Sequence, residues 1–205
     1  MFSLFRKKVT STDISSAAPV EAAPQQEVVN RPAAFFDVED EFWTLHDIIH
    51  PETMTSIERQ YILWSAMKHI TRCSIPGDFV ECGVWRGGSS MLAALTLIKQ
   101  GDTSRNLWLY DTFDGMPEPE VVDIEYATRR AASDIMAEQP REAGHGVWAI
   151  VARETVETNM ARTSYPSQRI RYVEGLVEET LEHISGANSS AQAGYRFLQV
   201  NDDRT

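Results

Sequence analysis

The sequence predicts an α/β protein built on a doubly wound parallel sheet. Three observations carry that prediction. Short β-type runs alternate with amphipathic helical ones along most of the chain. A glycine-rich turn, Gly83 to Gly88, leads from the first such run into an apolar helical segment. An acid, Asp111, closes the second β-type run a little over twenty residues beyond that turn.

The elements follow in order. Residues 1–34 are rich in Ser, Thr, Ala, Pro, Gln and Val over much of their length and show no helical or strand period. Such a stretch cannot bury enough apolar surface to offset its ordering entropy, so a disordered N-terminal tail is expected there, with one domain over residues 35–205. The opening MFSLFRKK lacks the apolar centre of a secretory signal. Asp37 to His50 reads as a helix stopped by Pro51. Thr55-Ser-Ile-Glu58 has the capping-box pattern, and the helix it opens carries Ile57, Tyr61, Trp64 and Met67 on one face. Pro76-Gly77 breaks the chain. Asp78–Cys82 is the first strand, Ser89–Gln100 an apolar helix capped by Gly101, and Asn106–Tyr110 the second strand. Helices are expected near Ile124–Glu138, over Glu154–Ala161 and over Val177–Ile184, with strands at Ile170–Glu174 and Tyr195–Val200.

With 205 residues the chain can form one domain with a real core. Its net charge of -11 argues against nucleic acid as a partner and against docking on an anionic membrane. No window approaches the roughly 18 apolar residues of a membrane span. Cys73 and Cys82 have neither metal-binding spacing nor the density of a disulfide scaffold, so a reduced, cytoplasmic protein is expected.

The chemistry concentrates in Phe79-Val-Glu-Cys-Gly-Val-Trp-Arg-Gly-Gly-Ser-Ser90. A strand feeds a tight turn, which feeds a helix whose positive dipole end faces the turn. Glu81 can accept hydrogen bonds from an ammonium group, and Asp111 stands where an acid reaches ribose hydroxyls in dinucleotide-binding folds. The spacing Gly-x-x-x-Gly-Gly, rather than Gly-x-Gly-x-x-Gly, counts against a nicotinamide enzyme. An acid before the first glycine suits a ligand with a cationic amino-acid end.

DFVECGVWRGGSSMLAA, then LWLYDTFDGMPEP, then NMARTSYPSQRIRYVEGLVEETL resemble successive motifs of the macrocin O-methyltransferase (TylF-type) family. Met54-Thr55-Ser56 with Arg59 resembles the family's opening segment. The resemblance covers about Met54 to Leu181. It implies a Rossmann-like fold of the S-adenosylmethionine (SAM) methyltransferase type and SAM as cofactor. It also implies magnesium-assisted methylation of a hydroxyl on a small-molecule acceptor, often a natural-product sugar. Carried over by position, Glu81, Gly83, Gly87, Gly88 and Ser89 line the methionine side of SAM, with Trp85 and Arg86 in the cofactor wall. Asp111 holds the ribose, Asp114-Gly115-Met116 belongs to a mobile cover, and Gly175, Val177 and Glu178 border the adenine.

The resemblance weakens after Leu181. The family's fourth strand runs into Asp-x-Asp and a later strand into a second acidic pair, which together suit a hard cation and a general base. Here Asn201 stands at the first position and Asp203 at the second, which makes Asp203 the candidate metal ligand. The domain is expected to be C-terminally incomplete, with slow or absent methyl transfer and an open sheet edge that invites association, a homo-oligomer included. Two alternatives follow: a non-catalytic SAM-binding remnant, and a nucleotide- or nicotinamide-binding enzyme on a similar sheet.

Other residues read more plainly. His46 and His50 are one helical turn apart, but no third ligand is evident, and helix-terminus histidines are expected rather than a zinc site. His145 in Gly-His-Gly is a loop residue or a substrate contact, and His69 and His183 are surface residues. Ser89-Ser90 is expected to cap its helix. Glu178-Glu179 and the acids of Asp37–Glu41 read as solvated faces, and Met116 and Met160 as packing residues.

Overall fold

The strand Asp78–Cys82 (β1) lies between Leu107–Asp111 (β2) and Tyr195–Val200 (β4), and Ile170–Glu174 (β3) adds outside β2. All pairings are parallel, in the order β3-β2-β1-β4. The chain winds outward from β1 to β3, then crosses back to the other edge of β1. That reversal makes a doubly wound sheet, and ligands of such sheets bind beyond the carboxyl ends of the strands, near the reversal. The computed structural model describes residues 31–141, 146–181 and the backbone of 195–200.

β1 is buried on both faces, as a central parallel strand must be. Phe79 shares one face with Leu107 and Leu109, and that face packs on helices. Val80 and Cys82 share the other with Tyr110, where Val173, Val177 and Leu181 pack against them. The pleat's period of two makes the division. At the opposite end of the sheet from the glycine turn, Asp78 accepts the Asn106 amide at 2.8 Å, the Asn106 side chain at 3.0 Å and the Trp108 indole at 3.0 Å. Asn106 is thereby committed to Asp78, and β2 begins at Leu107, one residue later than the sequence predicts.

The helices are Asp40–Ile49 (α1), Ile57–Arg72 (α2), Gly88–Lys99 (α3), Ala132–Ala137 (α4), Arg153–Ala161 (α5) and Val177–Thr180 (α6). Phe42, Trp43, Leu45 and Ile49 of α1 meet Leu63, Trp64 and Met67 of α2 over Met91, Leu92 and Leu97 of α3. Each such side chain contributes about 1.5–3 kcal/mol by leaving water. α3 closes with Gly101 in the left-handed region, its amide on Ile98 and that of Asp102 on Leu97, which satisfies the last carbonyls.

Several predicted elements differ in detail. α1 starts at Asp40 and passes into a 3-10 turn, His50–Glu52, which accommodates Pro51 near its start. The capping box of Thr55 and Glu58 does not form. Ser56 is the N-cap, and Thr55 is turned back on Thr53, whose hydroxyl accepts its amide at 3.1 Å. The Ser56 hydroxyl and Glu58's own amide hold the Glu58 carboxyl below its ordinary range. The helix expected over Ile124–Glu138 shrinks to α4, because Ile124 pairs with Ala131 in an antiparallel bridge closed by Glu125 and Arg130. α6 ends at Thr180 with Leu181 as its C-cap, and residues 182–184 of its predicted extension lie outside the described residues. So do residues 1–30 of the expected tail, whereas Ala33–Phe35 forms a 3-10 turn and Arg31 pairs with Asp40 at 2.5 Å.

Candidate functional site

Three strand ends are knitted together at the carboxyl edge of the sheet. The Gly83 amide donates to the Tyr110 carbonyl at 2.9 Å, and the Gly175 amide to the Asp111 carbonyl at 3.0 Å. The Asp111 side chain does more. Its Oδ2 accepts the amides of Val84 at 2.6 Å and Trp85 at 3.1 Å, and its Oδ1 accepts that of Phe113 at 2.8 Å. Thr112 Oγ1 also lies 3.5 Å from Oδ1 but only 2.6 Å from the Gly115 carbonyl, so of a carboxylate's roughly four lone-pair sites about one is held only by that long contact. Trp85 stands at φ +49°, a left-handed conformation that costs a bulky residue about 1–3 kcal/mol. Its amide bond to Asp111 helps to hold it there.

The next two glycines serve different needs. Gly87, the N-cap of α3, has φ +89°, which an L side chain rarely adopts. Gly88 has no room: a Cβ there would lie 2.5 Å from the Glu52 carbonyl oxygen and 2.6 Å from the Thr53 Cβ. The space the glycines open is therefore filled partly by the protein's own 3-10 turn. Ser89 is buried in the first turn of α3.

The serines do not cap that helix, since the left-handed Gly87 occupies the cap position and makes no side-chain cap bond. Ser90 instead donates its hydroxyl to Glu81. Both residues are fully buried, so Glu81 lies on the helical side of the sheet and is tied to α3. Its negative charge adds to burial in pushing the Cys82 thiol up to about 11, burial being the larger cause.

A second acid was not singled out in the sequence. Glu52, 7% exposed, accepts Arg86 Nε at 2.7 Å and Asn159 Nδ2 at 3.2 Å on Oε2, and Arg162 at 2.9 Å on Oε1. Asn159 also donates to the Arg86 carbonyl at 2.9 Å. Burial alone would raise the Glu52 carboxyl, but the two guanidinium hydrogen bonds and their charges outweigh it and hold it below its ordinary range. Arg86 also lies 5.7 Å from the Trp85 ring centroid. Neither residue is a freely solvated turn position. Partners 107 and 110 residues apart leave no local pattern to find.

The structure thus gathers Gly83, Trp85, Arg86, Gly87, Gly88, Ser89 and Asp111 at one sheet end, and brings Gly175 to Asp111. Val177 packs half-buried against the Cys82–Tyr110 cluster, and Glu178 is exposed on α6. Asn201 and Asp203 lie outside the described residues, as do His145 and His183. Gly115, at the base of the β2–α4 loop, fits only as glycine: a Cβ would lie 2.2 Å from the Trp148 carbonyl oxygen. Met116 beyond it is exposed, while Met160 is core.

His46 is buried with Nδ1 2.7 Å from Gln60 Oε1, and His50 stacks on it with Nδ1 3.2 Å from the Asp47 carbonyl. A surface groove lined by Glu39, Trp64, Lys68, His69, Arg72 and Cys73 lies along α2, away from the strand ends. Among the described residues no three His, Cys, Asp or Glu side chains converge, so these residues alone do not fit a divalent cation.

A family model described as macrocin-O-methyltransferase (TylF) matches residues 23–189. The chain is 33% identical over 129 residues to the 8-demethyl-8-(2,3-dimethoxy-alpha-L-rhamnosyl)-tetracenomycin-C 4'-O-methyltransferase of Streptomyces olivaceus, covering 63% of this chain and 46% of that protein. It is 31% identical over 129 residues to the demethyldecarbamoylnovobiocin O-methyltransferase of Streptomyces niveus, covering 63% and 45%. A solved structure of the O-methyltransferase NovP superposes with a TM-score of 0.49 at 26% identity, covering 63% of this chain and 50% of that one. The matches span about half the length of these relatives. No helix among the described residues is long and apolar enough to cross a membrane. With a family model matched over most of its length, the chain belongs to the macrocin O-methyltransferase (TylF) family.

Proposed function

We propose that residues 35–205 form a cofactor-binding domain for SAM, and that the domain serves O-methylation of a hydroxyl on a small natural-product acceptor. The observation that carries the proposal is the Gly83–Gly88 turn braced by Asp111 within a chain of this family. One relative is named for 4'-O-methylation of a rhamnosyl tetracenomycin and the other for O-methylation of demethyldecarbamoylnovobiocin, and the rhamnosyl group of the first supports a small glycosylated acceptor.

SAM, when bound, supplies the methyl group from its sulfonium. In this assignment the chain's own residues bind and orient. The turn from Gly83 to Trp85 takes the methionine portion, with Arg86 walling the site from Glu52. The left-handed Gly87 and the first turn of α3, from Gly88 and Ser89, present a positive helix end to the carboxylate. Asp111 fixes the turn and offers the site held only by the long Thr112 contact to a ribose hydroxyl. Gly175 and Val177 border the adenine, with Glu178 at the solvent edge. Glu81 acts from beneath, through Ser90. No step is assigned to magnesium or to Asp203.

Calorimetry with S-adenosylhomocysteine, on protein first shown folded by circular dichroism, tests the proposal. Binding that is lost on Gly83→Val is the expected result. Binding of NADH with none of S-adenosylhomocysteine would overturn it in favour of a nicotinamide enzyme.

A further inference from the structure

We infer that Glu52 is a positioning residue for the cofactor turn, fixing residues 83–88 from the 3-10 turn that precedes α2. The inference rests on the proposed SAM site, and it goes further by naming what holds the turn in place.

Two independent contacts carry it. The Glu52 carbonyl sits against Gly88, in the space where any other residue would place its Cβ. The Glu52 carboxylate takes Arg86 of the same turn at 2.7 Å and, with Asn159 and Arg162 at 3.2 and 2.9 Å, fastens that turn to α5. Asn159 closes the loop on the Arg86 carbonyl, and Val156 of α5 lies 3.2 Å from a Cβ built on Gly87. The turn is therefore gripped from outside by Glu52 and α5, and from inside by Asp111.

The grip matters because the turn holds residues in a sparsely populated backbone region. Trp85 and Gly87 both stand at positive φ, one of them without glycine's freedom. A carboxylate buried against two guanidinium groups keeps its geometry better than a solvated ion pair, since leaving it uncovers a charge in a poorly solvated place. Arg86 and Arg162 are partly exposed and can rehydrate, so removing the acid loosens the turn without emptying the core.

Hydrogen–deuterium exchange on the full chain, in the wild type, Glu52→Gln and Arg86→Met, reads the grip without any ligand. Calorimetry with S-adenosylhomocysteine reads its consequence. Amides of residues 83–90 should exchange about tenfold faster in both variants, the loss expected for one charged hydrogen bond, while β3 and the middle of α2 are unchanged. Affinity for S-adenosylhomocysteine should fall by a similar factor. Unchanged exchange at the turn, or an equal rise throughout the molecule, overturns the inference. If Glu52→Gln does not fold, Arg86→Met, which cuts the same contact from the exposed side, decides. A wild type that ignores S-adenosylhomocysteine while both variants loosen the turn sinks the SAM assignment and leaves the grip standing.

Discussion

Asp111 Oδ2 lies 2.6 Å from the amide nitrogen of Val84, across 27 residues of chain. The acid that ends β2 thus reaches over to shape the turn that ends β1. It accepts a second turn amide from Trp85 and a third from Phe113, and so joins two loops through one side chain.

Asp111→Asn tests this bracing. The amide keeps the size but places an NH2 group where one carboxylate oxygen accepted backbone donors. The protein should lose about 1–3 kcal/mol in urea unfolding, with weaker binding of S-adenosylhomocysteine. An unchanged unfolding midpoint would show that the turn holds itself.

Ser90→Ala removes the hydroxyl that meets Glu81 in a site closed to water. A buried carboxylate that loses a donor costs about 1–3 kcal/mol, so the unfolding midpoint should fall by a corresponding amount. The double variant with Glu81→Gln should recover part of the loss, because a neutral amide is less costly to bury. A double variant no more stable than the single one speaks against a charged Glu81.

Gly88 and Gly101 should respond differently to alanine. Gly101→Ala meets nothing within 4 Å but keeps φ +74°, so it should cost about 1–2 kcal/mol and leave ligand binding alone. Gly88→Ala must push the Glu52 backbone away, a crowding that costs about 1–3 kcal/mol and should weaken S-adenosylhomocysteine binding too. Equal binding in the two variants, measured by calorimetry, contradicts the close approach at Gly88.

The alkaline side of the stability curve should be set by buried and half-buried acids that ionise late. Burial, with the Glu81 charge second, raises the Cys82 thiol to about 11, and burial is the leading cause that takes the Tyr165 and Tyr172 phenols to about 12. Each keeps its proton in the folded state after the unfolded chain has lost it. Stability is therefore full below the ordinary values and falls as pH rises through about 9 to 11 for Cys82 and about 10 to 12 for the tyrosines. Urea midpoints measured from pH 8 to 11 should decline, and Cys82→Ser should flatten the earlier part of that decline. At pH 8 a thiol reagent should modify exposed Cys73 well before buried Cys82.

The sequence by itself determined the sheet and most of its strands. β1, β3 and β4 occupy the predicted residues, because each is a short apolar or β-branched run bounded by turn residues, and such information is local. It also marked Gly83–Gly88 and Asp111 as the turn and acid on which the proposed cofactor site rests, since turn glycines and a strand-ending acid are local signals. Only the tertiary structure decided how those residues are used. Asp111 is met first by backbone amides, Ser90 leaves the helix cap for Glu81, and Gly88 yields its space to Glu52. The Thr55–Glu58 box and the long helix after Ile124 fail for a related reason. Side-chain and backbone donors took nearer partners that propensity does not see. The Glu52 clamp was beyond reach altogether: its four residues come from a 3-10 turn, the glycine turn, α5 and the residue that ends it, and only folding makes them neighbours.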